Sequence, residues 1–544
     1  RNSEFAAIKA AAGKNEPLSK LDQRLLEATL KGFKASGMEL PAPQRLELKT
    51  LQERLSRIAQ DFENNIAADD YFYEASLAEL KGLPQSYIDG LPRTANGGYK
   101  ITLSYPDYFP VMQHAESGAL RKALELRFNE RAADKNMPLL QEALEKRQRV
   151  AALLGKSDYP QLVLEDRMAK SPEKVWSFLN DLWARLRKLG EKDLDQLLER
   201  KRKDQPAATE IFSWEKSYYA ERIRQEQFSL DQEEVRQYFS VDRVVSGTMK
   251  VYERLLGVKF AEVTPTETWH PDARLLEVSD AATGRRIGWL YLDLYPRDNK
   301  YGHAAAFTLI PGRENEDGSY NEPTAAMVAN FSKPQGGKPA LLKHDEVETF
   351  FHEFGHNMHQ ILTRARYASF SGTSVATDFV EAPSQIMENL VWSREVLDEL
   401  SGHWQDPARK LPDELFKKML AAKRFQQGLG YLRQVSFAMA DMMIHTAVPQ
   451  FVNTLFNQLM EVVGLHPIPI RHGATIGELG HLWAAFGAGK PPLVVPCSGW
   501  ARPLPWAQTG LSWVPPSPNM PEVETALVYP GMCLLEGTNV SEAR

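Results

Sequence analysis

One apolar stretch that contains two histidines and a glutamate constrains the fold of this chain more than any other segment. The string HDEVETFFHEFGHNMHQILTRA, beginning at residue 344, has helical periodicity. Its large apolar side chains require burial; these are Phe350, Phe351, Phe354 and Met358. Polar side chains on such a helix need partners, because burying an unpaired polar group is costly. The segment therefore predicts a buried helix with a polar site on it.

The histidine spacing indicates a metal site. His352 and His356 are four residues apart, so both imidazoles project from one face of a helix, one turn apart. Two neutral ring nitrogens at that spacing can share one zinc ion, and Glu353 lies close enough to hold a metal-bound water as general base. The alternative is a helix with surface histidines, but chance produces this pattern in roughly 2% of chains of this size.

A third ligand is expected from the string DFVEAPSQIMENLVW. Zinc in a catalytic site needs a third protein ligand and an open position for water. Glu381 lies 25 residues after His356 and shares one helix face with Gln385 and Glu388. One of the two glutamates can bind the metal. The other, or Asp378, can accept the outer N–H of a ligating imidazole and fix its tautomer.

Two of these positions have simpler interpretations. Glu388 could be a solvated or salt-bridged side chain. His359 follows His356 by three residues, so it fits a packing or supporting position better than a ligand position.

The rest of the chain reads mostly as helix, with one interruption. Residues 16 to about 260 place apolar side chains three and four apart, and Ser171 with Pro172 predicts a helix start. Residues from about 270 to 311 alternate and predict a small strand cluster, to which TAAMVANFS adds a strand. We also expect the helix with the histidines to begin at Asp345, in a capping box with Glu348.

Composition excludes several classes of protein. The chain has 65 Lys+Arg against 71 Asp+Glu, a net charge of −6 that does not point to nucleic acid. No apolar run reaches 18 residues, so no membrane span is expected. Only two cysteines occur, at positions 497 and 533, which excludes a disulfide framework for the main body. A cytoplasmic protein is expected.

Longer strings resemble a known family. They are FENNI, LEDRMAKSPEKVWSFL, WHPDARLLEV, YLDLYPRDNKYGHAA, AAMVANFSKP, LLKHDEVETFFHEFGHNMHQ, SFSGTSVATDFVEAPSQIMENLVW and LRQVSFAMAD, in order from about residue 15 to about 455. This stretch resembles the thimet oligopeptidase / oligopeptidase A family of zinc metallopeptidases. The resemblance implies a mainly α, two-lobed zincin-type body with a deep channel and a small β-sheet, which hydrolyses short peptides.

The resemblance also implies roles for particular residues. His352, His356 and Glu381 match the family's ligands for one Zn²⁺ ion, and Glu353 matches its catalytic base. Asp378, Glu388 and His359 are then left for supporting positions around the metal.

The chain departs from the family near its C-terminus. GHLWAAFGAG at 480–489 faintly resembles the family's oxyanion-binding loop, and His481 matches its catalytic histidine. Phe486 and Lys490 stand where hydroxyls are expected, and losing one oxyanion donor typically costs about 100- to 1000-fold in rate. Beyond Gly464, strings such as TGLSWVPPSPNMPEVETALVYPGMCLLEGTNVSEAR resemble part of a bacterial exo-β-N-acetylmuramidase family.

These observations predict three regions and one leading function. The regions are a helical N-terminal region (1–135), a zinc peptidase catalytic region (136–460) and a Pro-rich irregular tail of different origin (461–544). The leading hypothesis is a zinc metalloendopeptidase acting on short oligopeptides, with no nucleic-acid or membrane partner. One alternative is a zinc- and peptide-binding scaffold that turns over weakly. A less favoured alternative is a cell-wall sugar hydrolase acting through the tail.

Overall fold

The computed structural model describes residues 2–14, 16–228, 230, 232–264, 268–297, 300, 304–334 and 337–446. The predicted tail, with His481 and both cysteines, lies outside these residues. The described chain divides into two compact units. Unit 1 consists of residues 2–71, 125–182 and 435–446, and unit 2 consists of residues 72–124 and 183–434.

Helices dominate both units. In chain order they are α1 (Asn2–Gly13), α2 (Lys20–Ala35), α3 (Ala42–Ala67), α4 (Gln85–Gly90), α5 (Tyr105–His114), α6 (Gly118–Asn129), α7 (Ala133–Leu153), α8 (Tyr159–Leu164), α9 (Pro172–Asp204), α10 (Ser213–Gln227), α11 (Gln232–Arg236), α12 (Val241–Leu256), α13 (His344–Ile361), α14 (Thr377–Glu388), α15 (Arg394–Leu400), α16 (Asp413–Lys423) and α17 (Gln427–Thr446). Among the described residues, no helix combines the length and the apolar character needed to cross a bilayer.

The strands form one five-stranded sheet and two small hairpins. They are β1 (Phe72–Ala75), β2 (Tyr99–Thr102), β3 (Val258–Val263), β4 (Arg274–Asp280), β5 (Arg286–Asp293), β6 (Ala305–Ile310), β7 (Arg313–Glu314), β8 (Tyr320–Asn321) and β9 (Thr324–Val328). The larger sheet has the order β3-β4-β5-β9-β6, with β5 and β9 parallel and the other pairs antiparallel. Strand β6 is therefore an edge of this sheet within the described chain.

The prediction of a mainly helical chain with a small sheet is confirmed. Helices fill most of residues 16–260, the strand cluster falls at β4, β5 and β6, and TAAMVANFS supplies β9. The helix predicted after Ser171 begins at Pro172. The sequence prediction missed β1, β2 and β3, because strands of four to six residues are too short to show a clear alternation beside long helices.

Unit 1 has a core formed mainly between two of its long helices. Ile58 and Phe62 of α3 pack with Leu140 and Leu144 of α7, and all four are nearly inaccessible to solvent. These residues recur at helical spacing on each helix, so the apolar stripes of α3 and α7 face each other.

Unit 2 is built around α13, which lies against one face of the five-stranded sheet. That inner face presents alternate residues of neighbouring strands; they are Leu276, Val278, Leu290, Leu292 and Met327. Aromatic side chains of α13 fill the space beneath them, with the Phe354 ring 4.8 Å from the ring of Tyr252 on α12. Gly288 on β5 leaves room for Ile361, since a Cβ there would lie 2.9 Å from the Ile361 side chain.

The start of α13 differs from the prediction. The helix begins at His344 rather than after Asp345, and its first turn is closed by Glu346, whose carboxylate accepts the backbone N–H of Lys343 at 2.7 Å. Glu348 was expected to cap the helix, but its carboxylate instead accepts the indole N–H of Trp392 at 2.8 Å. The predicted N-cap was therefore wrong by two residues. Both Glu346 and Glu348 could close a capping box in the sequence, but the Glu348 carboxylate is used to satisfy the partly buried indole N–H of Trp392.

We expect Phe354→Ala to destabilise unit 2 by about 3–5 kcal/mol, because it removes a fully buried ring and leaves a cavity between the sheet and α12. Urea unfolding of parent and variant measures the effect. The matched control is Leu255→Ala on α12, which removes an apolar side chain that is 52% exposed and should cost less than about 0.5 kcal/mol. Equal losses for the two variants would contradict this account of the core.

Candidate metal centre

Three ligand-type side chains converge between α13 and α14. The Nε2 atoms of His352 and His356 lie 3.2 Å apart. Oε2 of Glu381 lies 3.2 Å from Nε2 of His352 and 3.0 Å from Nε2 of His356. All three residues are buried, and within the described residues they are the one group arranged to hold a metal ion.

This triangle has the dimensions of a metal site. A tetrahedral ion bound at about 2.0–2.1 Å holds its ligand atoms about 3.3 Å apart, close to the three observed separations. Nδ1 of His352 lies 2.7 Å from Oε1 of Glu388, so the neutral imidazole donates there and turns its Nε2 lone pair toward Glu381. Two acceptors then face each other at 3.2 Å. A cation between them removes that repulsion, so the donor set fits a metal ion.

Close packing of two helices brings Glu381 to the histidines. A Cβ on Gly355 of α13 would lie 2.9 Å from the Cα of Ser384 on α14, so the helices touch at this glycine. Ser384 is fully buried, and its hydroxyl lies 2.8 Å from the carbonyl oxygen of Glu381 and 3.0 Å from its Oε2. The serine therefore holds the Glu381 carboxylate in position.

Polar contacts continue along the same side of α13. His344, Glu348, His352 and His356 recur every four residues, and each contacts the segment from Glu381 to Trp392. Besides the contacts already given, Nε2 of His344 lies 2.9 Å from the carbonyl oxygen of Val391. We call these paired groups the polar seam. Burial lowers the pKa of His344 to about 4, so this imidazole is neutral and donates to the carbonyl.

The pKa values of the ionisable groups in and beside the polar seam are shifted in different directions. Burial raises the pKa of the Glu381 carboxyl, but the protonated forms of the His356 and His352 imidazoles outweigh burial and hold that pKa well below its usual range. A bound metal ion would take the place of those protons. Burial, then the nearby Glu388, raises the pKa of Glu348 to about 8. Lys423 of α16 is the cation beside these carboxylates; its Nζ lies 4.3 Å from the Trp392 ring centroid, and burial lowers its pKa to about 8.

Glu353 lies on α13 between the two histidines and reaches the sheet. Its side chain is buried, and the backbone N–H of Ala306 on β6 lies close enough to help lower the pKa of its carboxyl. Burial raises the pKa of this carboxyl, while the two imidazoles act in the opposite direction. Asn357 fixes the local helix by donating to the Glu353 carbonyl oxygen at 2.7 Å. Glu353 is therefore a carboxyl group with a raised pKa that lies beside the edge strand of the sheet.

Three more residues were predicted for the site: Asp378, His359 and His481. Asp378 is buried in the first turn of α14, one turn before Glu381. His359 lies beyond the triangle on α13, and burial followed by the neighbouring His356 lowers its pKa. His481 is outside the described residues.

The sequence analysis missed Ser384, Trp392, Lys423 and the Ala306 N–H. Only Ser384 had a sequence signal, its position one turn from Glu381 in the string EAPSQ.

Comparison with known proteins identifies relatives over most of the chain. A family model described as Peptidase family M3 matches residues 111–489. The protein named Thimet-like oligopeptidase from Dictyostelium discoideum is 36% identical over 491 residues, covering 87% of this chain and 73% of that protein. Oligopeptidase A of Escherichia coli K12 is 35% identical, covering 86% and 73%. Saccharolysin of Saccharomyces cerevisiae is 33% identical, covering 86% and 68%.

We expect Gly355→Ala to weaken metal binding, because the added methyl meets the α14 backbone and must push Glu381 away from the imidazoles. Chelator competition measures the affinity. Gly32→Ala on α2 is the matched control; nothing lies within 4 Å of its added Cβ, so it should leave metal binding unchanged. Unchanged affinity in Gly355→Ala would show that close helix contact does not position the carboxylate.

Glu388→Gln should lower metal affinity about 10- to 100-fold, because the amide no longer offers a charged acceptor to Nδ1 of His352. The same chelator competition measures the change in metal affinity. Glu395→Gln is the control: it makes the same change at an exposed glutamate paired with Arg254 and should have no effect. If both variants bind metal like the parent, Glu388 does not support the site.

Proposed function

Because this chain belongs to peptidase family M3 and is a peptidase, we propose that it is a zinc-dependent endopeptidase that hydrolyses short oligopeptides. The observation that carries the proposal is the triangle formed by His352, His356 and Glu381, with Glu353 beside it. The relatives' names, oligopeptidase in two cases, support short peptides as the substrate class. A cytoplasmic location stays a prediction.

Zinc is the ion that suits these donors best. Two imidazole nitrogens and one carboxylate oxygen are typical of catalytic zinc sites that keep a fourth position open. His352, His356 and Glu381 would hold the ion, and Glu388 would orient the first imidazole through Nδ1. When bound there, zinc supplies a Lewis acid that lowers the pKa of water and polarises the scissile carbonyl.

Glu353 moves the proton in this mechanism. Its carboxylate removes a proton from the attacking water and delivers it to the amine nitrogen as the peptide bond breaks. Burial suits it to this task, because a carboxylate with a raised pKa binds the proton more tightly than an exposed one. The nearby Ala306 N–H favours the charged form of the carboxylate, which is the form that accepts the proton.

Strand β6 offers a place for the peptide main chain. An extended peptide can add a strand to an exposed sheet edge, with main-chain hydrogen bonds giving affinity. Within the described residues, β6 pairs only with β9, and its Ala306 backbone lies near Glu353. A peptide paired with β6 would therefore pass beside Glu353.

A second candidate is a protein that binds zinc and peptides but turns over weakly. The observation that favours it is in the sequence: Phe486 and Lys490 stand where the family's loop is expected to supply hydroxyls. Both positions lie outside the described residues. Peptide binding with normal zinc content and slow cleavage would identify this candidate.

Glu353→Gln should abolish cleavage of a quenched fluorescent peptide while keeping the metal, because the amide cannot accept the proton. Rates are measured with zinc supplied and then chelated, and zinc content is measured on the same samples. The control is Glu414→Gln on α16, which changes a side chain that is 79% exposed and should cleave like the parent.

Three outcomes separate the candidates. Chelator-sensitive cleavage by the parent that is lost in Glu353→Gln supports the peptidase mechanism. Cleavage by Glu353→Gln at the parent's rate means that another group is the base. A parent that contains zinc and cleaves slowly supports the binding scaffold.

A further inference from the structure

Unit 1 contains a cavity of about 770 Å³ that is bounded by α2, α3, α7 and α8. This volume lies within the range of about 300–1,000 Å³ that is usual for small-molecule sites. The aliphatic part of its wall consists of Leu40, Val150, Leu153, Leu154, Leu162 and Val163. All of these except Val150 are only partly buried, so the cavity leaves apolar surface that a ligand could cover.

Basic side chains outnumber acidic ones around this cavity. The five basic residues are Lys31, Lys34, Arg147, Lys156 and Arg167, and the three acidic ones are Glu39, Glu165 and Asp166. Each carboxylate is already paired with a lysine; the pairs are Lys31–Asp166, Lys156–Glu165 and Lys9–Glu39. Carbonyl oxygens in the last turns of α2 and α7 accept backbone N–H groups of residues 36–38 and 154–156. The cavity therefore favours an anionic ligand over a cationic one.

Arg147 is the most deeply buried of these basic residues. It is 3% exposed, and its Nη1 donates to Nε2 of His445 at 2.8 Å. Because that nitrogen accepts, the proton of the neutral imidazole is on Nδ1, which donates to the carbonyl oxygen of Asp441 at 2.9 Å. Burial lowers the pKa of Arg147, and the opposing effects of Tyr159 and Asp441 do not offset burial. A carboxylate in the cavity would supply further negative charge, and arginine can bind it through two parallel hydrogen bonds.

We propose that this cavity binds a fatty carboxylate, with its carboxylate at Arg147 and its hydrocarbon chain along the aliphatic wall. A peptide suits the cavity less well, because its main-chain amides would be buried against aliphatic side chains, where unpaired polar groups are costly. A hydrocarbon chain has no such groups. The cavity is formed by residues of unit 1, whereas the metal triangle belongs to unit 2, so this site goes beyond the proposed peptidase function and does not depend on it.

Two comparisons separate the effect of the hydrocarbon chain from that of the charge. Each CH₂ group that the wall buries should tighten binding by up to about fourfold, so decanoate should bind more tightly than hexanoate. Decan-1-ol carries the same hydrocarbon chain without a charge. Because hydrogen bonds to charged groups are stronger than those to neutral ones, decanoate should bind about 5- to 10-fold more tightly than decanol.

Calorimetric titration of the full chain with decanoate, hexanoate and decanol tests the site. A chelator is present throughout, so that no carboxylate binds to a metal ion at the triangle. We expect saturable binding of one decanoate per chain. Arg147→Met should lower the decanoate affinity to that of decanol and leave decanol binding unchanged, because it removes the charge and keeps an apolar side chain. Unchanged decanol binding also shows that the cavity is still formed in this variant.

A second variant fills the cavity without changing Arg147. Leu162→Trp places a larger side chain in the wall and should block decanoate and decanol alike. Leu21→Trp on α2 is the matched control. It makes the same change at a side chain that is 45% exposed and does not line the cavity, so both ligands should bind as they do to the parent.

Any of four results overturns the proposal. They are no saturable binding of decanoate by the full chain, equal affinities of the parent for decanoate and decanol, a decanoate preference that survives in folded Arg147→Met, and decanoate binding that persists in Leu162→Trp. If Arg147→Met does not fold, the decanol comparison and Leu162→Trp decide the outcome. Peptide cleavage or its absence changes none of these results, because the titrations are made without a bound metal ion.

Discussion

Every fourth side chain of α13 from His344 to His356 is polar and buried, and the whole arrangement of the site depends on how these groups are paired. Most of the other buried residues of that helix are apolar, so each unpaired polar group would cost about 1–3 kcal/mol. The segment from Glu381 to Trp392 supplies the partners, and the polar seam therefore fixes α14 against α13. The metal triangle is one end of this seam.

Packing and electrostatics act together in the seam. The glycine at 355 allows the helices to touch, and Ser384 at the contact point orients the Glu381 carboxylate. Buried carboxylates from two helices then lie close together, which burial alone would protonate. The protonated forms of the imidazoles favour the charged form of Glu381, and the ammonium of Lys423 favours the charged forms of Glu348 and Glu388. A divalent ion in the triangle would replace the imidazole protons in this compensation.

The sheet contributes its edge strand to the candidate site and its inner face to the core. Strand β6 follows β5 in sequence but lies beyond β9 at the edge of the sheet, and its Ala306 backbone lies near Glu353 in the middle of α13. The inner face of the sheet completes the core of unit 2. The edge strand thus lies beside the carboxylate that we propose transfers the proton.

Local geometry allowed the sequence by itself to determine part of this site. Residues four apart on a helix share a face, so His352, Glu353 and His356 could be placed without knowing the fold, and apolar periodicity predicted the buried helix that holds them. Only the tertiary structure decided between Glu381 and Glu388. Both lie on one face of α14, and the contact of Gly355 with Ser384 sets which carboxylate meets the imidazoles. The roles of Trp392, Lys423 and β6 were likewise invisible in the sequence, because their contacts join segments tens of residues apart, whose meeting depends on the packing of the whole unit.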